Sequence, residues 1–448
     1  MKKFIESISN VWKIEELKNR ILLTLGLLLI YRFGAQVTLP GIDATQLANL
    51  AGQTKDGIGS ILDMFTGGAF SQASVFALGI MPYISASIVV QLMGMAIPYL
   101  QKLQNDGESG RKKINQITRW LTIGITLLQG PTYIYNLYRT LPSNAFLLGF
   151  NSFEFLFSSV VILTTGTIFA MWLGEKITDK GIGNGISLLI MVGILARLPQ
   201  AFIQEFTTRV TNNNGGPMLL VIEIIVWLLV IISCVLLVMA VRKIPVQYAR
   251  RTSTGDYEQD VMGGNRQWIP LKLNAAGVMP IIFAQAIMFI PAAVAGLSKS
   301  DASQSIVGAF SNMFGLWYNL VFATLIVVFT FFYTAITVPT NKMSDDLKRS
   351  GGFIPGVKPG VETSDFLDKV MSLITFPGSL FLALIAVFPA IVVSVMDVQQ
   401  SWAMFFGGTS LIIMVGVAID TMQQINSYLL NQHYDGLMKT GKNRKAVA

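Results

Sequence analysis

The chain has 448 residues, of which 52% are hydrophobic and 13% charged, with a formal net charge of +8. Ordinary globular domains carry about 25% charged residues, so a surface solvated by water on every side is excluded; apolar runs such as 219–241 and 383–395 account for the deficit. One cysteine, Cys234, and one histidine, His433, exclude an internal disulfide and an ordinary His/Cys metal site.

In chain order, residues 1–20 come first. Phe4, Ile8, Val11 and Trp12 recur there at near-helical spacing among charges, which predicts a cytoplasmic amphipathic helix lying along a membrane. The stretch lacks the apolar core and small-residue cleavage site of a signal peptide. Apolar stretches near 21–37, 76–99, 119–138, 155–174, 184–204, 217–241, 270–297, 315–339, 370–396 and 402–430 then predict ten spans, each near the ~20 residues a bilayer requires. These divide into an N-terminal half over 21–204 and a C-terminal half over 205–430, with a tail over 431–448.

Charge sets the orientation. Most of the 33 lysines and arginines fall in alternate loops and at the termini; Lys55, Arg139, Arg197, Arg209 and Lys299 lie on the opposite side, and Arg32 within the first span. Basic loops stay in the cytoplasm, so both termini are expected there. Arg32 lies near the outer end of its span and can snorkel.

Two basic, glycine-containing cytoplasmic loops, 242–272 and 340–369, are longer than a connection needs, which marks them as functional or disordered. Before the second span, Ile58, Ile61, Leu62 and Phe65 recur at helical spacing and stop at Gly67-Gly68. That run is too short to cross a bilayer. It is either an outer amphipathic helix or a re-entrant one, and the latter must be buried in protein or line a cavity.

Glycine-rich GIGNGIS (Gly181–Ser187) follows a span rather than a β-strand, and no Gly-Lys-Ser/Thr follows. It lacks the context of a phosphate-binding loop and reads as a tight cytoplasmic turn. Glu223 and Asp420 are the carboxylates within spans, and sequence spacing alone assigns neither to a relay, which is little for a proton pathway. Ile80 with Ile84, and Ile186 with Ile190, are spaced to share a helix face; taken alone they read as packing. Ser85, Ser87, Gln91 and Gln129 read as interhelical hydrogen-bonding groups, worth about 0.6–2 kcal/mol each.

The segments ALGIMPYISASIVVQL (77–92), GESGRKKINQITR (107–119), GIGNGIS (181–187), PLKLNAAGVMP (270–280), GGFIPGVKPG (351–360) and GGTSLII (407–413) together resemble, in order and spacing, the SecY family of protein-conducting channels. The resemblance covers nearly the whole chain. It implies an all-α polytopic membrane protein, with ten helices in two pseudo-symmetric inverted halves around a central pore. It also implies a short re-entrant plug helix at about 57–75 that includes Ile58, Ile61, Leu62, Phe65, Gly67 and Gly68. Motif by motif, the pore ring falls on Ile80, Ile84, Ile186, Ile190, Ile282 and Ile413, and the lateral gate on Ser85, Gln129 and Asn274.

Docking of the ribosome or of the SecA motor ATPase falls on Arg242, Lys243, Arg250, Arg251 and Lys358; the last stands where the family usually has arginine. A lysine is a flexible point charge where arginine offers a rigid fork. The implied activity is passage of unfolded secretory polypeptides across the bacterial cytoplasmic membrane and lateral release of transmembrane segments into lipid. SecE and SecG are the implied small membrane partners, signal sequences and nascent polypeptides the clients. No cofactor, metal or catalysis is expected. The alternative of another class is a secondary transporter of a small solute, which calls for a polar site at mid-membrane.

Overall fold

The computed structural model describes residues 14–47, 63–142, 145–146, 152–211, 216–248, 266–285, 287–288 and 313–444. Within these, the principal helices are α1 (Glu15–Gly34), α2 (Met81–Ala96), α3 (Pro98–Asn105), α4 (Gly107–Thr140), α5 (Ser152–Lys180), α6 (Gly185–Thr211) and α7 (Gly216–Met239). Strands β1 (Val241–Tyr248) and β2 (Arg266–Lys272) follow. Then come α8 (Leu316–Thr337), α9 (Thr340–Arg349), β3 (Gly352–Phe353), α10 (Val361–Met396) and α11 (Gly408–Arg444).

Six helices among the described residues are long and apolar enough to cross a membrane, or seven if a bent pair counts as one span. That pair is Met81–Gly94 with Pro98–Gln104, bent by 105°. The cause is local: Pro98 disfavours helical backbone at the residue before it, and Ile97 is extended. Helices α1 and α4 cover two more predicted spans but are more polar. In α4, Thr118, Thr122 and Thr126 are buried, and each hydroxyl donates to the carbonyl four residues back at 2.7–2.9 Å. The helix thereby satisfies its own polar groups. Part of the predicted 270–297 span lies outside the described residues, as do residues 1–13.

Three boundaries differ from expectation. Residues 15–20, expected to end the N-terminal surface helix, belong to α1, with Leu17 buried; Phe4, Ile8, Val11 and Trp12 lie outside the described residues. The connection after α2 is helical, because α3 and the first turns of α4 occupy it. The loops 242–272 and 340–369 contain strands: β2, β1 and β3 form one antiparallel sheet in that order, with Val241 opposite Lys272 and Gln247 opposite Phe353.

The chain forms two compact units. One comprises 1–214, 399–402 and 417–448, the other 215–398 and 403–416. In the first, Leu39, Phe70, Tyr133, Ile134, Leu137, Phe155 and Leu163 form a continuous core. In the second, Ile244, Val246 and Leu271 of the sheet pack on Leu347 of α9, on Ile354, and on Leu367 and Met371 of α10. Ser344 donates to the Gly360 carbonyl at 2.5 Å and Thr340 to Asp368 at 2.8 Å, which fixes α9 across the start of α10. Gly360 has φ +112, a conformation that a side chain would strain.

Candidate pore and plug

GIGNGIS is the turn from α5 into α6. Its amides are already engaged: Ile182 donates to the Thr24 hydroxyl at 3.1 Å, Gly183 to Gln424 at 2.8 Å, and Gly185 to Thr178 at 2.9 Å. A phosphate cradle needs free N–H groups, and these donors are taken. The expected tight turn is what the structure contains.

From this turn α6 carries Ile186, Ile190, Gly193 and Arg197 at steps of four, three and four, a single helix face. Ile190 is buried. Ile186 is half-buried, and its Cγ1 would lie 2.9 Å from a Cβ built on Gly174, so it also packs on α5. Gly193 is where another segment crosses: a Cβ there would lie 2.7 Å from the Phe65 carbonyl oxygen. Only glycine admits this approach.

The crossing segment is the described part of the predicted plug. Residues 63–65 form a helical turn, and Gly67 (φ +66) and Gly68 (φ +97) then reverse the chain. Phe65 is buried. Ile58, Ile61 and Leu62 lie outside the described residues. Thr66 meets the other expected ring element: a Cβ on Gly79 would lie 2.9 Å from the Thr66 Cγ2, and Gly79 immediately precedes Ile80. Ile80 is buried just ahead of α2, and its carbonyl accepts the Ile84 N–H at 3.0 Å. The segment therefore rests beside Ile80 on one element and one turn beyond Ile190 on another.

Side chains hold it there. Arg32 donates from Nη1 to the Gly67 carbonyl at 2.6 Å, a defined partner in place of the snorkelling expected of it. Arg197 pairs with Asp63 and donates to the Ser71 hydroxyl at 2.8 Å, and Asp63 accepts the Ser71 N–H at 2.8 Å. Tyr133 of α4 donates to the Phe70 carbonyl at 2.8 Å, within the core. Sequence reasoning missed Asp63, Gly193 and Arg197 as parts of this site.

The SecY family profile matches residues 74–422. The chain belongs to the SecY family. A protein translocase subunit SecY of Haemophilus influenzae is 40% identical over 430 residues, 95% of this chain and 94% of that protein. That of Thermotoga maritima is 38% identical over 446 residues, 98% of this chain and 99% of that protein. Among solved structures, the chain resembles one described as a protein conducting channel, with TM-score 0.57, 15% identity and 91% of each chain covered. It also resembles Sec61 in the canine ribosome–channel complex, with TM-score 0.53, 14% identity and 91% of each chain covered. The fold is thus an all-α polytopic channel fold. With translocase subunits as full-length relatives, the solute-transporter alternative falls away.

The expected ring positions divide between the two units: Ile80, Ile84, Ile186 and Ile190 in the first, Ile282 and Ile413 in the second. Within the second, a Cβ on Gly416 would lie 3.5 Å from Val278 Cγ2, so the stretch carrying Ile282 neighbours the first turns of α11, which carry buried Ile413.

At the expected SecY gate positions, Ser85 is half-buried, Gln129 exposed and Asn274 8% exposed. The Asn274 side-chain oxygen has no hydrogen-bond partner among the described residues. Ser87 and Gln91 bond to each other along α2 at 3.5 Å, so the interhelical role expected of that pair is not the one observed. Of the expected docking residues, Arg242 and Lys243 are exposed on β1, and Lys358 is exposed with Glu362 as its partner at 3.4 Å. Arg250 and Arg251 lie outside the described residues.

Proposed function

We propose that this chain is the channel subunit through which unfolded secretory polypeptides cross the bacterial cytoplasmic membrane, and from which transmembrane segments pass sideways into lipid. The observation that carries the reading is the segment at Phe65–Gly68. It packs beside Ile80 and just beyond Ile190 and is reversed by two glycines in left-handed conformations. That is the build of a stopper on an apolar constriction.

The physical case follows from what the pore must pass. A polypeptide presents side chains of every polarity, and a charged ring would grip some and repel others. Isoleucines resist wetting, so ions meet a dehydration barrier while an extended chain slides past. Ile80, Ile84, Ile186, Ile190, Ile282 and Ile413 form that constriction in this reading, and residues 57–75 the plug. Ser85, Gln129 and Asn274 line the lateral gate. An unpartnered, nearly buried amide oxygen at Asn274 suits a seam that opens, because little internal hydrogen bonding is lost when it parts.

The chain itself performs no catalysis in this scheme. Energy comes from outside, from a translating ribosome or the SecA motor docking on the sheet platform through Arg242, Lys243, Arg250, Arg251 and Lys358. Contacts of these cations with ribosomal RNA phosphates weaken with salt. SecE and SecG brace the two halves. Both termini are cytoplasmic in this reading, which the distribution of basic residues supports.

The test is reconstitution of the chain with SecE, SecG and SecA in liposomes, supplied with ATP and a radiolabelled precursor. Precursor that becomes resistant to added protease until detergent is present is the expected result. Precursor that stays fully digestible, alongside uptake of a small solute, would overturn the reading.

A further inference from the structure

We propose that Arg197 and Arg32 form a two-point latch on the plug, and that the Asp63–Arg197 pair sets how readily the resting channel opens. The inference rests on the plug reading above and adds which groups hold the segment shut.

The segment is anchored at its C-terminal side. Phe70 and Ala73 lie in the core beneath Tyr133, so the chain is anchored from there on. Gly67 and Gly68, in left-handed conformations, form the bend before the anchor. Asp63 lies on the far side of the bend and is tied back across it. Its carboxylate accepts the Ser71 N–H at 2.8 Å and pairs with Arg197, which also donates to the Ser71 hydroxyl at 2.8 Å. Its carbonyl accepts the Gly68 N–H at 2.8 Å. Arg32 grips the bend from α1 through the Gly67 carbonyl at 2.6 Å.

Both arginines stand on long helices, and what they hold is the stretch Asp63–Gly68, which includes the helical residues 63–65. Withdrawing the segment therefore means breaking the charge-assisted bonds at Asp63 and Gly67, the strongest polar contacts it makes. The Asp63–Arg197 side chains are partly exposed, 13% and 24%, so water can take over as partner when they separate. A pair of this kind resists opening without forbidding it. A fully dry pair would strand two charges on separation.

The experiment uses the full complex with Cys234→Ala as background, and reads both resting ion conductance in voltage-clamped bilayers and precursor transport. Arg197→Gln and Asp63→Asn should each raise the resting open probability roughly tenfold and allow export of precursors with weakened signal sequences. The exchange Asp63→Arg with Arg197→Asp should bring conductance back toward the parent, which misfolding would not do. Asp63→Cys with Arg197→Cys should leak while the thiols are free and should neither leak nor transport once joined by a short bis-maleimide. If the joined form transports normally, the segment need not move and the plug reading itself fails. If joining blocks transport but the single substitutions leave conductance and signal selectivity at parent levels, the plug reading stands and the latch is overturned.

Discussion

Helix α6 carries two arginine–carboxylate pairs three turns apart, and they serve opposite ends. Arg209 and Glu205 lie one turn apart on the helix itself, 4% and 1% exposed, joined at 2.7 Å. The second Glu205 oxygen accepts the Gln399 N–H at 3.1 Å, and Gln399 reaches the Thr208 hydroxyl at 2.8 Å. Arg197, by contrast, reaches off the helix to Asp63, 134 positions away in the chain. The first pair is local to its helix and dry, and through Glu205 and Thr208 it ties Gln399 to α6. The second is long-range and partly wet, and on the proposed plug reading it exists only while the plug is docked. On that reading identical chemistry serves as a fastener where it is local and buried, and as a catch where it is distant and hydrated.

This contrast is sharpest under substitution. Arg209→Met leaves the Glu205 carboxylate buried without its cation, at a cost of about 3–5 kcal/mol. The purified complex should melt markedly lower or fail to accumulate, and adding Glu205→Gln should recover much of the loss. Next in size is Gly193→Val. The new side chain collides with the Phe65 carbonyl, a segment that can yield, so thermal stability should change little while resting ion leakage rises several-fold. Equal loss of melting temperature in the two variants would erase the distinction between fastener and catch.

Tyr133→Phe removes the hydroxyl that donates to Phe70 at the anchored end and should destabilise by about 1 kcal/mol. Its conductance should stay near that of the parent, because the catch is intact. The smallest effect belongs to Lys358→Ala. The exposed pair with Glu362 is worth at most about 0.5 kcal/mol, so melting should be unchanged. Weaker binding of SecA or ribosomes to that variant would assign Lys358 to docking.

What the sequence made legible follows local pattern. Apolar length marked the spans, glycine spacing marked the turn at Gly181–Ser187, and ordered motifs pointed to the SecY family. Pro98 is a visible signal for the bend after α2, but the continuous apolar run around it reads as one straight span. The sheet was harder. Ile244, Val246 and Tyr248 alternate inward as a strand requires, but Pro245 and Pro270 argue against strands, and β3 is two residues long. The plug contacts left no local trace. Asp63 and Arg197 are far apart in sequence, and each taken alone reads as an ordinary charge on the outer side.

The most direct test of a polypeptide pathway along the isoleucines is site-specific crosslinking. In a Cys234→Ala background, single cysteines replace Ile190 or Ile413, and a cysteine-bearing secretory precursor is arrested in transit. Leu229, 62% exposed on α7, supplies the lipid-facing control. Disulfides to the precursor at both isoleucine positions and not at Leu229 are the expected result. Crosslinks no stronger at the isoleucines than at Leu229, with SecA or ribosomes supplied, would return those side chains to ordinary packing and contradict the proposed pore.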